Sequence, residues 1–291
     1  MIWGFGTKTT ANQFIEAFIE KQDNRFFPSI QKDTGEKYYN FHWPDWGYKL
    51  DKDVEIAFQG LIRNTHELVE IVKRNHNKYY YFDQPYFFAT GYQIHKETNG
   101  MWYRICVNNT QKTFISKDKK YKKRYEDLYS KTKDELTLKP WRKNGEHILV
   151  IPPSYHTAKW YGIDRHEWTD QVVKEIKKTS RRPIRVRYKY VENTDWGTKI
   201  SKPLKEDLEN CWAMVSWHSM CAIEAVVNGV PSFTSQHSPA KPVSLSLDNL
   251  DIVDDPHMPD REQWLYSLTG AQFTLDEMKS GYAYNFLQDE K

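Results

Sequence analysis

Ser216, His218 and Ser219 stand within the stretch CWAMVSWHSMCAIEAVVNGVPSF, Cys211 to Phe233, and their types suit the binding of an anion. Two hydroxyls and an imidazole are offered beside the free N–H groups of a helix that starts at Ser219, and a phosphate accepts from all of these. For His218 the alternative is a packed or capping role. A second group of donors lies in RRPIRVRYK, where Arg185, Arg187 and Lys189 alternate and share one strand face. Arg187 and Lys189 come nearest the carboxyl end, and a guanidinium holds two phosphate oxygens at once. An interior parallel strand is normally apolar on both sides, so an edge strand is the alternative. Glu224 falls inside the helix after Ser219, either at its surface or against a ribose or sugar hydroxyl. Asp83 closes the run YYYFD, a place for a general base or for a turn residue. Arg104 and Asn108 of YRICVNN are candidates for the same cleft. SKDKKYKKR carries Lys119, Lys120, Lys122 and Lys123, read either as a solvated face or as a patch that tracks phosphates.

These residues need elements to hold them. Ala213–Val215 is a short apolar strand, and Ser219 is the expected cap of the helix that follows. Asn228-Gly229 stops that helix, Pro231 prevents its resumption, and Ser232–Ser235 is the next strand. Upstream, His147–Ile151 is a strand closed by Pro152-Pro153. Trp168–Lys178 is a helix with Trp168, Val172, Val173 and Ile176 on one face. Pro183–Tyr188 alternates as a strand, and Leu204–Glu209 is a short helix. Downstream, Asp260–Leu268 and Thr274–Gly281 are helical, with Thr274 and Glu277 at capping-box spacing. In the first half, Ile2–Phe5 is a strand running into Gly4-Phe5-Gly6, with Thr10–Glu20 helical behind it. Val54–Arg74 contains a helix, Tyr79–Phe82 and Tyr103–Val107 are strands, and Gln84–Met101 is irregular. Strands alternating with helices predict an α/β chain with parallel sheets covered on both faces. The polar segment Thr132–Glu146 joins two halves, residues 1–138 and 139–291.

Composition bounds the rest. The chain has 291 residues, room for two domains, and its 39% apolar content is enough for a core. A net charge of +3 neither requires nor excludes nucleic acid. No apolar run approaches the length of a membrane span, and MIWGFGTKTT lacks the pattern of a signal peptide. The three cysteines, Cys106, Cys211 and Cys221, are too scattered for a disulfide frame or a zinc site and read as reduced thiols in a cytoplasm. The motifs of a P-loop, a zinc protease and a serine-hydrolase elbow are missing. Gly4-Phe5-Gly6 is an incomplete dinucleotide fingerprint, because Thr9 stands where the third glycine belongs. Asp251, Asp254 and Asp255 read as a turn, so no metal is expected. No internal repeat is evident.

SWHSMCAIEAVVNGVPSF resembles the Ser-rich turn, Ala/Glu helix and G-x-P pattern of GT-B glycosyltransferases of the capsule and Kdo type. YYYFDQPYF, YRICVNN, ILVIPPS, RPIRVRYK and PDREQWLYSLTGAQFTLDEMKSG are similar to glycosyltransferase-like proteins common in tailed-phage genomes. The likeness covers most of Tyr79–Gly281. It implies two Rossmann-like domains around a cleft, an acceptor-side domain (1–138) and a nucleotide-sugar-binding domain (139–291), with a C-terminal helix returning to the first. It implies donor binding by Ser154 (beside Pro153), Arg187, Lys189, Ser216, His218, Ser219 and Glu224, and Asp83 as the acceptor's base. Gly4, Gly6, Tyr86, Trp102, Arg104, Asn108 and the lysines at 119, 120, 122 and 123 fall on the acceptor side, with Tyr86, Phe87 and Trp102 stacking an extruded base. The co-substrate is a nucleotide sugar, UDP-linked or similar, used without a bound metal, although Asp51-Lys52-Asp53 has D-x-D spacing. Retaining relatives carry E-x7-E; here Ser216 occupies the first of those positions relative to Glu224, which leaves the anomeric outcome open. The phage likeness points to hydroxymethylated pyrimidines, such as hydroxymethylcytosine, in double-stranded DNA as acceptor, in the cytoplasm of an infected bacterial cell and with no membrane partner. A surface or lipid-linked glycan is the rival acceptor, and a non-catalytic nucleotide- or DNA-binding protein the rival class.

Overall fold

The computed structural model describes residues 1–6, 9–27, 50–61, 65–88, 101–130, 136–188, 190–191, 198–199 and 203–290. Contacts divide the chain into two compact units, Met1–Thr110 with Gly270–Lys291, and Gln111–Thr269. The division expected from the sequence lay at 138/139. The supposed linker is tied into the second unit: the N–H groups of Lys139 and Arg142 donate to the carbonyls of Val227 and Gly229 at 2.9 and 2.8 Å.

In the first unit, β1 (Ile2–Phe5) leads through Gly6 to α1 (Thr9–Ile19) and β2 (Asn24–Phe27); β3 (Glu55–Gln59), α2 (Thr65–Asn75), β4 (Tyr79–Asp83) and β5 (Trp102–Val107) follow. The segment 270–291 supplies β13 (Gln272–Thr274), α9 (Leu275–Lys279) and α10 (Tyr282–Leu287). The sheet order is β13-β5-β4-β3-β1-β2, with β1 to β4 parallel and β5 and β13 antiparallel. β4 is buried on both faces from Tyr79 to Phe82, as a central parallel strand must be. Phe18 of α1 meets Tyr80 and Phe82 edge to face at 4.9 and 5.3 Å. Gly4 and Gly6 serve that packing. A Cβ on Gly4 would meet Ile15 and Ile19 at 2.8 Å, and one on Gly6 would meet the Asn12 amide at 2.1 Å. Both glycines thus permit the close approach of α1.

In the second unit, α3 (Lys119–Tyr129) precedes β6 (His147–Ile151), α4 (Tyr155–Tyr161), α5 (Arg165–Thr179) and β7 (Ile184–Val186). The two-residue strands β8 (Tyr190–Val191) and β9 (Thr198–Lys199) pair antiparallel. Then come α6 (Leu204–Leu208), β10 (Cys211–Ser216), α7 (Cys221–Val227), β11 (Ser232–Thr234), β12 (Leu245–Ser246) and α8 (Glu262–Thr269). The sheet order is β12-β11-β10-β6-β7 and every neighbour is parallel. Trp168, Val172 and Ile176 of α5 pack on Ile148, Val150, Val215 and Phe233, whereas Val173, read from the sequence onto the same face, is half-buried and outside this cluster. Each such buried side chain contributes roughly 1.5–3 kcal/mol. β7 lies at the sheet edge, not in its interior, which is why it tolerates cations. Both units share one order of strands, second-first-third-fourth, although the sequence shows no repeat. Among the described residues no helix is long and apolar enough to cross a membrane.

Candidate functional site

In an open parallel sheet, a crevice forms beyond the carboxyl ends of the strands where the order reverses. In the second unit that point lies between β6 and β10, whose successive connections leave on opposite sides. β6 ends in Ile151 and runs through Pro152-Pro153 to Ser154, which caps α4 by accepting from the Thr157 N–H at 3.3 Å. Its hydroxyl also meets that of Thr157 at 2.9 Å. β10 ends at Ser216 and gives way to Trp217, His218 and Ser219. Thus Ser154, Ser216, His218 and Ser219, distant in sequence, all follow or end the carboxyl ends of the neighbouring strands β6 and β10. Ser219 accepts from the Cys221 N–H at 3.2 Å from the turn before α7, but the cap position is Met220, one residue later than the sequence suggested, and carries no side-chain cap bond.

Ser216 pairs with Thr234, the last residue of β11, in the parallel ladder. Both are buried, at 0% and 2% exposure, and neither hydroxyl has a hydrogen-bond partner. Val215 and Phe233 face α5, so by alternation Ser216 and Thr234 point to the other face. The loops beyond them are laced together, because the Ser235 hydroxyl and N–H both donate to the Trp217 carbonyl, at 2.6 and 3.2 Å. The rim is aromatic. Tyr161 lies 4.7 Å from the ring of His237 and 6.0 Å from that of His218. Burial pushes the Tyr161 phenol up to about 12, so it stays a neutral donor at physiological pH. Thr234, His237 and Tyr161 were not singled out from the sequence; the polar tail T-S-Q-H on the strand after α7 was the available signal.

The other donor candidates separate. Arg187 is half-buried and ion-paired with Asp207 of α6, a partner the sequence reading did not name. Lys189 lies outside the described residues. Glu224 is on the exposed side of α7, so the surface alternative holds for its side chain. All three cysteines are free thiols, with Cys106 and Cys211 buried.

In the first unit, Asp83 ends β4 with its side chain 31% exposed. Its Oδ2 accepts from Arg104 at 2.8 Å and from the Tyr81 hydroxyl at 3.1 Å, and its Oδ1 from the Gln84 N–H at 2.8 Å. Arg104 is buried, donates also to the Gln84 carbonyl at 2.6 Å, and lies 5.1 Å from the Tyr86 ring centre. Burial, the largest influence, would lower the Arg104 pKa; the Asp83 carboxylate together with Tyr86, Cys106 and Tyr81 outweighs it, and the guanidinium stays charged. Tyr86 and Phe87 are themselves buried, their N–H groups donating to Gln272 Oε1 at 3.0 Å. This overturns the expected stacking of a base on Tyr86 and Phe87, whose rings belong to the core. Trp102 is half-buried and packs on Phe88 at 5.2 Å. Asn108 adopts a left-handed turn at φ 54° and accepts from the Tyr79 N–H at 3.0 Å, a structural task. Asp51 accepts from the Asp53 N–H at 3.2 Å, so that pair forms a turn. Among the described residues no cluster of His, Cys, Asp or Glu is arranged to hold a metal ion. The lysines at 119, 122 and 123 are exposed on α3, and Lys120 is half-buried.

The chain folds as two parallel-rich α/β sheets. It is similar to two solved structures of KpsC from Thermosulfurimonas dismutans. To the beta Kdo 2,7 transferase the TM-score is 0.51 with 10% identity, covering 98% of this chain and 99% of that one. To the beta Kdo 2,4 transferase the TM-score is also 0.51, with 8% identity over 99% and 98%. At such identities the likeness is one of fold. No protein-family model and no curated protein matches the chain.

Proposed function

We propose that the protein is a nucleotide-sugar-dependent glycosyltransferase of the GT-B type, with the donor's phosphate at the carboxyl edge of the second sheet. The observation that carries this reading is the pair of buried hydroxyls without partners, Ser216 and Thr234, at the ends of neighbouring strands beside the β6/β10 crevice. Ser154, Ser216, His218 and Ser219 supply hydroxyl and imidazole donors to the phosphate, and Tyr161 and His237 form its rim. The reaction is displacement at the anomeric carbon. The bond to the leaving phosphate breaks as the acceptor oxygen attacks, and fixed hydroxyl and N–H donors stabilise the departing charge. Asp83 takes the acceptor proton in this reading, with Arg104 and Tyr81 fixing its orientation.

For the acceptor, the finer proposal is a hydroxymethylated pyrimidine in DNA, favoured by the exposed lysines of α3 over a surface or lipid-linked glycan. The test is a panel of nucleotide sugars scored by thermal shift and donor hydrolysis, followed by mass spectrometry of nucleosides from hydroxymethylcytosine-containing and ordinary DNA. Donor response with sugar on the modified base alone is the expected result. Donor response with label on neither DNA redirects the acceptor to glycans. No response to any donor overturns the enzyme in favour of a binding protein.

A further inference from the structure

We propose that the amino-terminal half of α3 is a docking surface for the phosphate backbone of duplex nucleic acid. Between Lys117 and Arg124 stand five lysines and one arginine against Asp118 alone, a local excess greater than the +3 of the whole chain. The helix is held rigidly to present them. Tyr121, Arg124 and Leu128 are buried on one side, Tyr125 lies 4.6 Å from the Tyr266 ring of α8, and Ser116 is pinned to Ser267 and Gln263 at 2.8 and 2.6 Å. Lys117, Lys119, Lys122 and Lys123 are exposed.

The charges run against the helix dipole. Cations fill the first turns, where the dipole is positive, and Glu126 and Asp127 lie toward the carboxyl end, where it is negative. Such an arrangement costs the helix stability in isolation, and an anion at the amino-terminal half relieves it. A duplex carries about one charge per 1.7 Å of axis, a density that matches the crowding of lysines here. A lipid surface fits less well, because helices that lie on membranes insert an apolar face. On α3 the exposed positions are Lys119, Lys122, Lys123, Glu126 and Asp127, and the apolar ones are turned inward. The inference stands on the charge of α3 and not on the transferase chemistry, so either can fail alone.

The experiment is fluorescence anisotropy with a labelled duplex of about 20 base pairs, titrated over a salt series. The full chain is compared with a variant carrying Lys→Gln at 117, 119, 122 and 123, and with one carrying Lys→Arg at the same four positions. Four phosphate contacts predict a slope of log affinity on log salt of about −3 to −4 for the native chain. The Gln variant should lose most of that slope and bind at least about tenfold more weakly in low salt, while the Arg variant stays within about threefold. Its thermal midpoint should not fall, since neutral side chains suit this end of the helix better; the single variants Lys122→Gln and Lys123→Gln, each lowering the slope by about one, give the same readout if the fourfold variant does not fold. Unchanged slope and affinity in the Gln variants overturn the proposal. So does capture of the native chain by vesicles rich in anionic lipid with no binding to the duplex.

Discussion

Ser216 and Thr234 stand opposite each other at the carboxyl ends of adjacent parallel strands, buried to 0% and 2%, with no hydrogen-bond partner for either hydroxyl. Removing an unsatisfied buried hydroxyl is nearly neutral or stabilising, within about 1 kcal/mol. Ser216→Ala and Thr234→Val should therefore keep or raise the thermal midpoint and yet abolish the thermal shift produced by a nucleotide sugar. A large loss of stability in both would mean that the hydroxyls serve the fold instead.

Asp83 and Arg104 form the ion pair that most constrains tests of catalysis. Asp83→Asn removes the carboxylate charge that faces the buried guanidinium, while its contacts with the Gln84 carbonyl and the Tyr86 ring remain. Because Asp83 is 31% exposed, the loss should be on the order of 2 kcal/mol, below the cost of breaking a fully buried pair. Donor-induced thermal shift should survive in this variant while transfer is lost. Retained turnover would remove Asp83 as the base.

His147 gives the fold an acid-side limit. Its ring is 1% exposed, and Nε2–H donates to the Asp207 carbonyl at 3.0 Å, which leaves Nδ1 as a lone pair with no donor. Burial lowers its pKa from the ordinary 6.5, so the unfolded chain takes up a proton that the folded one refuses. This contribution to stability is full above 6.5 and is lost as pH falls from there through the lowered folded value. Urea midpoints compared at about pH 7.5 and about pH 5.5 should show the loss, and His147→Gln should flatten it.

Two glycines separate strain from crowding. Gly162 ends α4 at φ 65° with open space where a Cβ would go, whereas Gly229, at φ 78°, would place one 2.1 Å from the Pro140 carbonyl oxygen. Gly162→Ala should cost about 1 kcal/mol and Gly229→Ala on the order of 3 or more, read from urea melts.

How much of this was legible depended on whether local chemistry or distant partners decided the outcome. The β10–α7–β11 unit announced itself, because its stop at Gly229 and its restart after Pro231 are local signals, although the helix begins after Met220 and not at Ser219. The capping box of Thr274 and Glu277 was likewise readable and is fully formed. β2, β3 and β13 were not, since three to five residues such as Asn24–Phe27 become a strand only when a neighbour supplies the ladder. The Arg187–Asp207 pair and the burial of Tyr86 join residues from separate elements, and nothing in either segment reveals the other. In the site, the residue types at Ser216 and Ser219 carried the signal, while Thr234 emerged only from the register of β10 on β11.

The position of β13 sets an order of assembly. It edges β5 in the first sheet, and Gln272 fastens the backbone of Tyr86 and Phe87, so a unit begun by residues 1–110 is completed only by residues 270–291. Residues 111–269 are all synthesised before 270–291, which allows the second unit to form while the first still shows a bare strand edge. For that interval the nascent protein carries a surface open to mispairing, and chaperone dependence should concentrate there.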